Sequence, residues 1–497
     1  MKAILFILGF VLTAISCRAD VWEDRKGFVD PAKVRAAAMI KPHPRQLAWQ
    51  QLELTCFFHF GINTFTNKEW GDGTEDPKLF NPTELNCRQW VKAVKAAGFK
   101  LAILTAKHHD GFCLWPSKYT DYDVAASSYK NGKGDVVKEF VDACRAEGIK
   151  IGIYLSPWDR HEPTYGTDAY NDYFDNQINE IFDLYGPDID EFWFDGANGE
   201  GPNGKKQVYD WNRFYKTIRE RNDNCVIAVS GPDVRWVGNE SGLARESEWS
   251  VVPATARDQD DISAAFEEGG FHYDDISPEE MADLGITPYK YDAKSEYMGD
   301  RVAISAAEEA IWYPAECDTS IRPGWFYHKS QDGLVKSLSK LMDIYYKSVG
   351  RNSVLLLNIP PDQRGLLHDR DVKRLTDFGN TIRDVFGNNK AAGAVRTDSK
   401  VTGEDYQMTI ELDLGSEEWI NRLSIGENIA NGQRVEKFAL EVWTGRKWKE
   451  VVRSTTIGYK RLLKFPLQKA QKVRINIVQS RYIPEISSIG LYYSSLY

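Results

Sequence analysis

Asp195 is the first residue whose type and position suggest chemistry. It directly follows the short apolar run at 191–194 and is itself followed by Gly196 and a polar loop. In a parallel α/β barrel, a carboxylate at the C-terminal end of a buried strand faces the active site. A helix-capping role is the alternative, but the next predicted helix begins only near Lys206, too far away for a cap. We therefore interpret Asp195 as a catalytic carboxylate.

A second carboxyl group is required if the chemistry is hydrolysis of a glycosidic bond. One acid must be ionised beside the anomeric carbon, and the other must carry a proton for the leaving oxygen. Glu240 is the candidate for the protonated role, because Trp236 and glycines flank it and a nearby charge on Asp195 would raise its pKa. Glu246 and Glu248 lie close by and remain alternatives on spacing alone.

Histidine and aromatic residues collect where the predicted strands end. In a barrel those ends form one concave site, and aromatic faces can pack on the C–H face of a sugar. The candidate substrate-binding residues are His59, Trp70, His108, His109, Tyr154, Trp158, Trp193, Trp236 and Trp325. Zinc is the rival interpretation of His108 and His109, but adjacent side chains of an extended strand point apart. We therefore assign no metal ligand and expect no cofactor.

Alternating strands and helices predict the class of the larger domain. Strands are predicted at 54–61, 101–105, 151–155, 191–194, 226–229, 310–313 and 353–359. Helices are predicted at 87–97, 136–147, 170–185, 207–221, 334–349 and 369–386. This βαβ spacing predicts an α/β fold, a distorted (β/α)8 barrel of the TIM type over residues 21–387. A doubly wound sheet is the alternative, but no glycine-rich dinucleotide fingerprint follows the first strand.

The composition changes near residue 387, where Gly387 to Lys390 reads as a linker. Short strands then follow at 409–414, 421–425, 438–444, 462–465, 473–477 and 489–493. Regular strand spacing without a helical period predicts a β-sandwich (jelly roll) over residues 388–497.

Charge and the N-terminal segment restrict partners and location. The net charge of −10, without a long basic cluster, argues against nucleic acid as a partner. Residues 1–20 have a charged start and an apolar run too short to span a bilayer, which is typical of a secretion signal. Ser16-Cys17 also suggests a lipoprotein cleavage site with a lipid anchor on Cys17. We expect an exported protein, either periplasmic or an outer-membrane lipoprotein of a bacterium, without a transmembrane segment.

Four motifs together carry a family resemblance. They are Phe58-His59-Phe60-Gly61, the run Lys107 to Phe112, Tyr154-x-Ser156, and Trp193-Phe194-Asp195-Gly196. Over roughly residues 45–385 the chain resembles the α-L-fucosidases of glycoside hydrolase family 29. The stretches 231–240 and 321–328 resemble the subgroup that prefers branched α-1,3/1,4-fucosides, such as Lewis-type glycans. The tail, at 412–415, 432–435 and 456–460, resembles a discoidin or carbohydrate-binding-module sandwich.

The resemblance implies a retaining exo-hydrolase that acts on fucosylated oligosaccharides or glycoconjugates. It implies that Asp195 is the nucleophile and Glu240 the acid/base, with carboxyl groups about 5–5.5 Å apart. It further implies that the fucose is held by His59, Trp70, His108, His109, Tyr154, Trp158, Trp193 and Trp325. Two alternatives from other classes are a non-catalytic fucose lectin on a barrel scaffold and a metal-dependent hydrolase. A fucosidase with a broader linkage range is a third.

Overall fold

The computed structural model describes Trp22 and residues 24–259 and 295–496. The predicted signal and Cys17 therefore lie outside the described residues. Helices α1 to α10 span Pro31–Ala37, Pro44–Gln50, Ile62–Thr66, Cys87–Ala97, Val136–Glu147, Asp168–Tyr185, Trp211–Arg221, Arg301–Ala306, Leu338–Lys347 and Asp369–Phe386. Strands β1 to β8 span Leu54–Phe58, Leu101–Lys107, Lys150–Leu155, Glu191–Phe194, Val226–Val229, Arg235–Trp236, Val251–Pro253 and Ala310–Trp312. Strands β9 to β16 span Ala315–Ser320, Val354–Asn358, Val395–Asp398, Met408–Glu427, Val435–Trp443, Trp448–Ser454, Arg461–Ser480 and Ile486–Tyr492.

Eight parallel strands form a nearly closed barrel, as predicted. Their order is β5-β4-β3-β2-β1-β10-β9-β6, so the chain winds outward from β1 in one direction and returns from the other side. The ends of this order, β5 and β6, are short strands of four and two residues. The barrel prediction is confirmed, and the doubly wound alternative is wrong.

The barrel strands read as continuous apolar runs because both of their faces are buried. In β1, Cys56 and Phe58 pack outward against the helices, whereas Phe57 points into the barrel. Leu101 and Ile103 of β2 likewise belong to the inner cluster of side chains. This alternation follows from the two-residue period of a strand, and helices covering the outer face remove any polar side.

Several predicted elements have the expected bounds. Helices α4, α5 and α10 and strands β4 and β5 begin and end at the predicted residues. Local signals explain this accuracy: Asn86 and Asp135 accept hydrogen bonds as N-caps, and Gly98 and Gly148 end α4 and α5 in the left-handed conformation.

Two predicted helices are shorter than expected because tertiary contacts hold their first residues. Helix α7 begins at Trp211 rather than Gln207, whose side chain accepts a hydrogen bond from the Gly166 backbone at 2.7 Å. Helix α9 begins at Leu338 rather than Leu334, because the Lys336 backbone donates to Ile321 at 2.8 Å.

One predicted barrel strand is wrong and two real ones were missed. Residues 310–312 form β8, which pairs antiparallel with β7 in a separate two-stranded sheet. The barrel positions belong instead to β6 and β9. Strand β9 was missed because it alternates polar and small residues, Ala-Glu-Cys-Asp-Thr-Ser, and so lacks the apolar run of its neighbours.

The C-terminal sandwich consists of one six-stranded antiparallel sheet folded around its own core. Predicted strands 409–414 and 421–425 are parts of a single strand, β12, and 462–465 and 473–477 are parts of β15. Register shifts between Asp413 and Glu418 and between Ile420 and Arg422 interrupt the β12–β15 ladder. Both halves of β12 contribute to one core, with Ile410 and Leu423 fully buried in it. Bulges let one long strand turn from one layer to the other.

None of the helices in the described ranges has the length and apolar character needed to cross a bilayer.

Helix α10 packs against α4 through Gly379, and this close contact can be tested. A Cβ at position 379 would lie 2.5 Å from the Cα of Ala97, a backbone atom that cannot move aside. We expect Gly379→Ala to lower the free energy of unfolding by about 2 kcal/mol, despite the better helix propensity of alanine. Thermal denaturation measures the loss. The control is Gly393→Ala, whose Cβ would meet nothing within 4 Å; equal melting temperatures for the two variants would refute the packing argument.

Candidate active site

A cavity of about 540 Å³ opens at the C-terminal ends of the barrel strands. This volume is within the range of about 300–1,000 Å³ found for small-molecule sites. The cavity is lined by Phe57, His59, Glu69, Trp70, His108, His109, Tyr154, Trp158, Trp193, Asp195, Ala197, Asn198, Gly199, Lys206, Glu240, Asp318 and Trp325. The structure therefore brings together both predicted carboxyl groups and all but one of the predicted substrate-binding residues.

Trp236 is the exception. Its side chain is buried in the barrel interior, and its indole N–H donates to Oδ1 of Asp318 at 2.9 Å. Trp236 therefore supports a residue of the cavity wall and has no place in the wall itself. The sequence suggested a sugar contact because Trp236 precedes Glu240 by four residues, but the chain turns between them.

Asp195 is held at the end of β4 by two hydrogen-bond donors. The Tyr154 hydroxyl donates to Oδ2 at 3.0 Å, and the Ala197 backbone N–H donates to Oδ1 at 2.8 Å. His109 Nε2 lies 3.8 Å from Oδ2. The side chain is 15% exposed, so it remains open to the cavity. The two donors fix the orientation of the carboxyl group, which suits a nucleophile.

Glu240 lines the same cavity in different surroundings. It belongs to the loop between β6 and β7 and is open to the solvent within the cavity mouth. Desolvation by the surrounding protein, followed by the negative charge of Asp195, raises the pKa of Glu240 to about 7, although a hydrogen bond from Trp325 opposes the rise. At neutral pH a large fraction of Glu240 therefore carries a proton, as a general acid requires.

The two competing glutamates are engaged elsewhere. Glu248 is buried between Arg235 and Arg245, and these arginines outweigh burial and lower the pKa of Glu248. Glu246 pairs with Arg461 and Arg351, whose charges likewise outweigh burial and lower its pKa. Both are therefore ionised anchors of the loop, and Glu240 is the glutamate of this loop that lines the cavity.

His59 and His109 present an unprotonated ring nitrogen to the cavity. Asn358 donates its amide hydrogens to Ser320 and Trp325, so its Oδ1 accepts from His59 Nδ1 at 2.9 Å. Burial lowers the pKa of His59 to about 3, so the ring is neutral and Nε2 is an acceptor.

The tautomer of His109 is likewise fixed by its hydrogen-bond partner. The Ser156 hydroxyl donates to the Trp158 carbonyl at 2.7 Å, so it accepts from His109 Nδ1 at 2.7 Å. Burial lowers the pKa of His109, although the charge of Asp195 opposes this. Burial also lowers the pKa of His108 well below its usual value. Neutral imidazoles with a free ring nitrogen accept hydrogen bonds from hydroxyl groups, as expected for a sugar site.

Aromatic side chains form the rim and floor of the cavity. Trp70 is 56% exposed and lies edge-on against Trp158, with ring centroids 5.6 Å apart. Trp193 stacks on Tyr154 at 5.1 Å in the floor. Its indole N–H donates to Glu316 at 2.7 Å, so only the ring of Trp193 is available to a ligand.

Two acids of the cavity wall, Glu69 and Asp318, were not predicted from the sequence. Glu69 accepts from the Trp325 backbone at 2.8 Å and pairs with His328. The signal for Glu69 was its position directly before Trp70. The signal for Asp318 was the alternation of Glu316, Asp318 and Ser320 in β9, because a two-residue period puts all three on one face of a strand.

Three buried acids in the barrel interior each accept a hydrogen bond from a tryptophan. Trp49 donates to Glu191 at 3.0 Å, and the other two pairs are those of Glu316 and Asp318 described above. Burial raises the pKa of Glu316 to about 8, and burial and neighbouring acids raise the pKa values of Glu191 and Asp318 well above the usual range. Protonation at neutral pH lets these acids share one interior without mutual repulsion.

Metal binding was the rival interpretation of the histidines. Across the ranges that the structure describes, no group of three or more His, Cys, Asp or Glu side chains is placed to hold a metal ion. Around a single cavity the described side chains offer Asp195 with two hydrogen-bond donors, Glu240 with a raised pKa, two further acids and neutral imidazole acceptors. This arrangement can bind a polyhydroxylated ligand and cleave an acetal by acid and nucleophilic catalysis.

The chain is similar to known enzymes that cleave glycosidic bonds. The family model described as "Alpha-L-fucosidase" matches residues 48–237 and 272–385, more than half of the chain. Alpha-L-fucosidase 1 of Arabidopsis thaliana is 39% identical over 495 residues, which cover 92% of this chain and 90% of the plant protein.

Solved structures agree with this match. A crystal structure from Bacteroides ovatus superposes with a TM-score of 0.82 at 49% identity, covering 94% of this chain and 76% of that one. A Ruminococcus gnavus GH29 fucosidase solved in complex with fucose has a TM-score of 0.75 at 30% identity, covering 96% of this chain and 98% of that one.

The protonated state of Glu316 makes a testable prediction about stability. Because its folded pKa of about 8 exceeds the ordinary value of 4.5, the stability it contributes is complete below about pH 4.5 and is lost as the pH rises through 8. Glu316→Gln cannot ionise, so its melting temperature should fall less than that of the wild type between pH 6 and pH 9. If the melting temperatures of the wild type and Glu316→Gln fell by the same amount over this pH range, the prediction would be contradicted.

Glu248→Gln is the matched control for Glu316→Gln. It removes a charge that two buried arginines need, so it should cost about 3–5 kcal/mol at neutral pH. Comparing the two variants distinguishes Glu316, which is neutral in the folded protein, from Glu248, which is charged there.

Proposed function

This chain belongs to the α-L-fucosidase family, glycoside hydrolase family 29, and we propose that it removes terminal α-1,3/1,4-linked fucose from branched glycans with retention of anomeric configuration. The α-L-fucosidase activity itself follows from the family match and the related structures. One observation carries the proposed mechanism: Asp195 and Glu240 line the same cavity, where two hydrogen bonds orient Asp195 and the surroundings raise the pKa of Glu240 to about 7.

In the first step, the carboxylate of Asp195 attacks the anomeric carbon of fucose. The C–O bond to the leaving sugar breaks, and the leaving oxygen takes the proton of Glu240. The Tyr154 and Ala197 hydrogen bonds orient Asp195 for attack, at distances of 3.0 and 2.8 Å. The product is a fucosyl ester of Asp195 and an ionised Glu240.

In the second step, Glu240 acts as a base. It takes a proton from a water molecule whose oxygen attacks the anomeric carbon, and the bond to Asp195 breaks. Asp195 regains its charge and Glu240 its proton. Two inversions give net retention. Loss of the negative charge on Asp195 in the ester lowers the pKa of Glu240, because that charge contributes to raising it.

Hydroxyl recognition is proposed to come from hydrogen-bond acceptors of the cavity wall. His59 and His109 each direct an unprotonated Nε2 toward the cavity, and Glu69 offers a carboxylate held by Trp325 and His328. The floor formed by the rings of Tyr154 and Trp193 offers an apolar surface for the C–H face and methyl group of a deoxy sugar. The fucose bound by the related R. gnavus enzyme supports this substrate.

The branched substrate is proposed from the motifs at 231–240 and 321–328. The size of the cavity supports it, because about 540 Å³ leaves room beyond a single sugar ring. Trp70 and Trp158 at the rim offer aromatic faces to the rest of the glycan.

Export is also proposed, on the basis of residues 1–20 alone. The charged start, the apolar run and Ser16-Cys17 favour a secretion signal with a possible lipid anchor on Cys17. An extracytoplasmic location in a bacterium would put the enzyme where secreted glycans are found.

Substitution of the two carboxyl groups tests the mechanism. Asp195→Asn should lower kcat on the order of 10⁴-fold, because no ester can form. Glu240→Gln should lower kcat/KM for an oligosaccharide about 10²- to 10⁴-fold but spare α-L-fucosyl fluoride, whose leaving group needs no proton. In the wild type, kcat/KM should fall as the pH rises through about 7, and Glu240→Gln should flatten this limb.

NMR of the first-formed sugar completes the test of the mechanism. An α-anomer is expected, whereas β-L-fucose would rule out retention. Glu200→Gln, an exposed acid in the loop after Asp195, is the matched control and should keep wild-type kinetics.

Linkage preference is tested by comparing three substrates. We expect kcat/KM to be at least tenfold higher for a Lewis-type trisaccharide than for an aryl α-L-fucoside, because rim contacts to the branch add to transition-state binding. A linear α-1,2-fucosylated trisaccharide, which lacks the branch, is the control. Brisk hydrolysis of the aryl fucoside, or equal rates on both trisaccharides, would contradict the branched-substrate proposal.

A further inference from the structure

The loop that carries Glu240 is held by ion pairs and single hydrogen bonds, such as the bond from Arg245 to the Val237 carbonyl at 3.0 Å, rather than by regular secondary structure. Residues 237–250 lie between β6 and β7 and contain no helix or strand. Within the loop, Asn239 donates to the Leu243 carbonyl at 2.9 Å and accepts from the Ser241 backbone at 3.1 Å. These bonds shape the turn around Glu240, but they do not attach it to the barrel.

On the barrel side, the Val237 backbone donates to the Glu316 carbonyl of β9 at 3.0 Å, and a further attachment comes from the end of α9. The Ala244 backbone donates to the Lys347 carbonyl at 2.8 Å, and Arg351 donates to the Ala244 carbonyl at 3.0 Å. Arg351 also pairs with the carboxylate of Glu246. This side of the loop is thus held six residues or fewer from Glu240.

Another attachment comes from the C-terminal sandwich, more than 200 residues later in the chain. Arg461, at the start of β15, donates to the Glu246 carbonyl at 2.6 Å and pairs with the Glu246 carboxylate. Thr455 donates to the same carbonyl at 2.8 Å. The Arg461 side chain is only 2% exposed, whereas Glu246 is 45% exposed, so the arginine is the rigid partner.

A third sandwich residue extends this contact. Gln433 donates to the Glu248 carbonyl at 3.0 Å and accepts from the Ser250 backbone at 2.8 Å. It is 1% exposed. Arg461, Thr455 and Gln433 therefore hold the backbone of the loop from 246 to 250. We call these three residues the sandwich clamp.

We propose that the sandwich clamp positions Glu240. The C-terminal domain would then contribute to catalysis by holding the loop that carries the acid/base. The proposal rests on the proposed role of Glu240. Arg461, Thr455 and Gln433 are positioning residues, since they act through residues 246–250 and do not line the cavity. A small displacement of a catalytic group is enough to cost about 10²-fold in rate.

The proposal distinguishes two substrates that differ in their need for an acid. Cleavage of a Lewis-type trisaccharide expels an alkoxide and needs the proton of Glu240, whereas α-L-fucosyl fluoride expels fluoride without it. For Arg461→Met we expect kcat/KM to fall about 10- to 100-fold on the trisaccharide and by less than about threefold on the fluoride. Arg461→Lys, which keeps the charge, should recover part of the loss.

Azide provides a second readout. With Glu240 displaced, water attacks the Asp195 ester slowly, so kcat and KM for the fluoride should fall together. Azide is already an anion and needs no base; it forms a C–N bond as the ester C–O bond breaks. Azide should therefore restore kcat in Arg461→Met and yield α-L-fucosyl azide. A loss of stability alone would not produce this rescue.

Thr455→Val keeps the experiment decisive if Arg461→Met fails to fold. It removes one donor to the Glu246 carbonyl without changing side-chain volume, and it should give a smaller selective loss, about threefold to tenfold, on the trisaccharide. Arg474→Met is the matched control, because Arg474 pairs with Glu441 and Trp448 within the sandwich. For this variant the ratio of kcat/KM on the trisaccharide to kcat/KM on the fluoride should equal that of the wild type.

Two outcomes would overturn the proposal. Folded Arg461→Met and Thr455→Val enzymes with the wild-type ratio of trisaccharide to fluoride activity would show that the clamp is not needed. Equal losses on both substrates without azide rescue would assign the clamp to stability only. The role of Glu240 is tested separately: if Glu240→Gln itself lacks the substrate split and the azide rescue, the mechanism fails, whatever Arg461 does.

Discussion

The site depends on keeping two carboxyl groups of one cavity in different protonation states. Asp195 accepts hydrogen bonds from the Tyr154 hydroxyl and the Ala197 N–H, which hold it in place. Glu240 lines the same cavity, and desolvation and the charge of Asp195 raise its pKa to about 7. The first acid therefore helps to keep the second protonated. When the first forms an ester, that effect disappears and the second becomes a base. One electrostatic interaction thus serves both steps of the proposed reaction.

The barrel interior beneath the cavity contains buried acids that are protonated for a different physical reason. Glu191, Glu316 and Asp318 are buried, and each accepts an indole N–H from a tryptophan. Burial makes their charged forms unfavourable, so they stay neutral and fill the interior as polar, hydrogen-bonded groups. Asp318 extends this set to the cavity wall. Trp193 and Trp236, two of the predicted sugar contacts, therefore donate their indole N–H groups to acids of the scaffold, and only their rings remain for packing.

The C-terminal sandwich takes part in the same arrangement. Arg461 reaches from β15 to the backbone and side chain of Glu246, and Gln433 holds the backbone at 248–250. The acid loop is therefore fixed between α9 of the barrel unit and a domain that follows it in the chain. This contact gives the sandwich a mechanical role at the site, irrespective of whether it also binds sugar.

The sequence by itself determined the barrel, the sandwich and the location of the site. Apolar runs, glycine stops and N-caps are local signals, so helices such as α4 and α5 and strands such as β4 were predicted with correct bounds. Asp195 could be singled out because it ends such a strand. Only the tertiary structure shows that Glu240 lines the cavity and that Glu246 and Glu248 form ion pairs elsewhere, because the partners of Glu246 come from positions as distant as 351 and 461. Only the tertiary structure also shows that Trp236 lies behind the cavity wall and that Glu69 and Asp318 are part of that wall. Protonation states and partners depend on burial and on charges that only folding brings close, and the order of residues along the chain does not encode them locally.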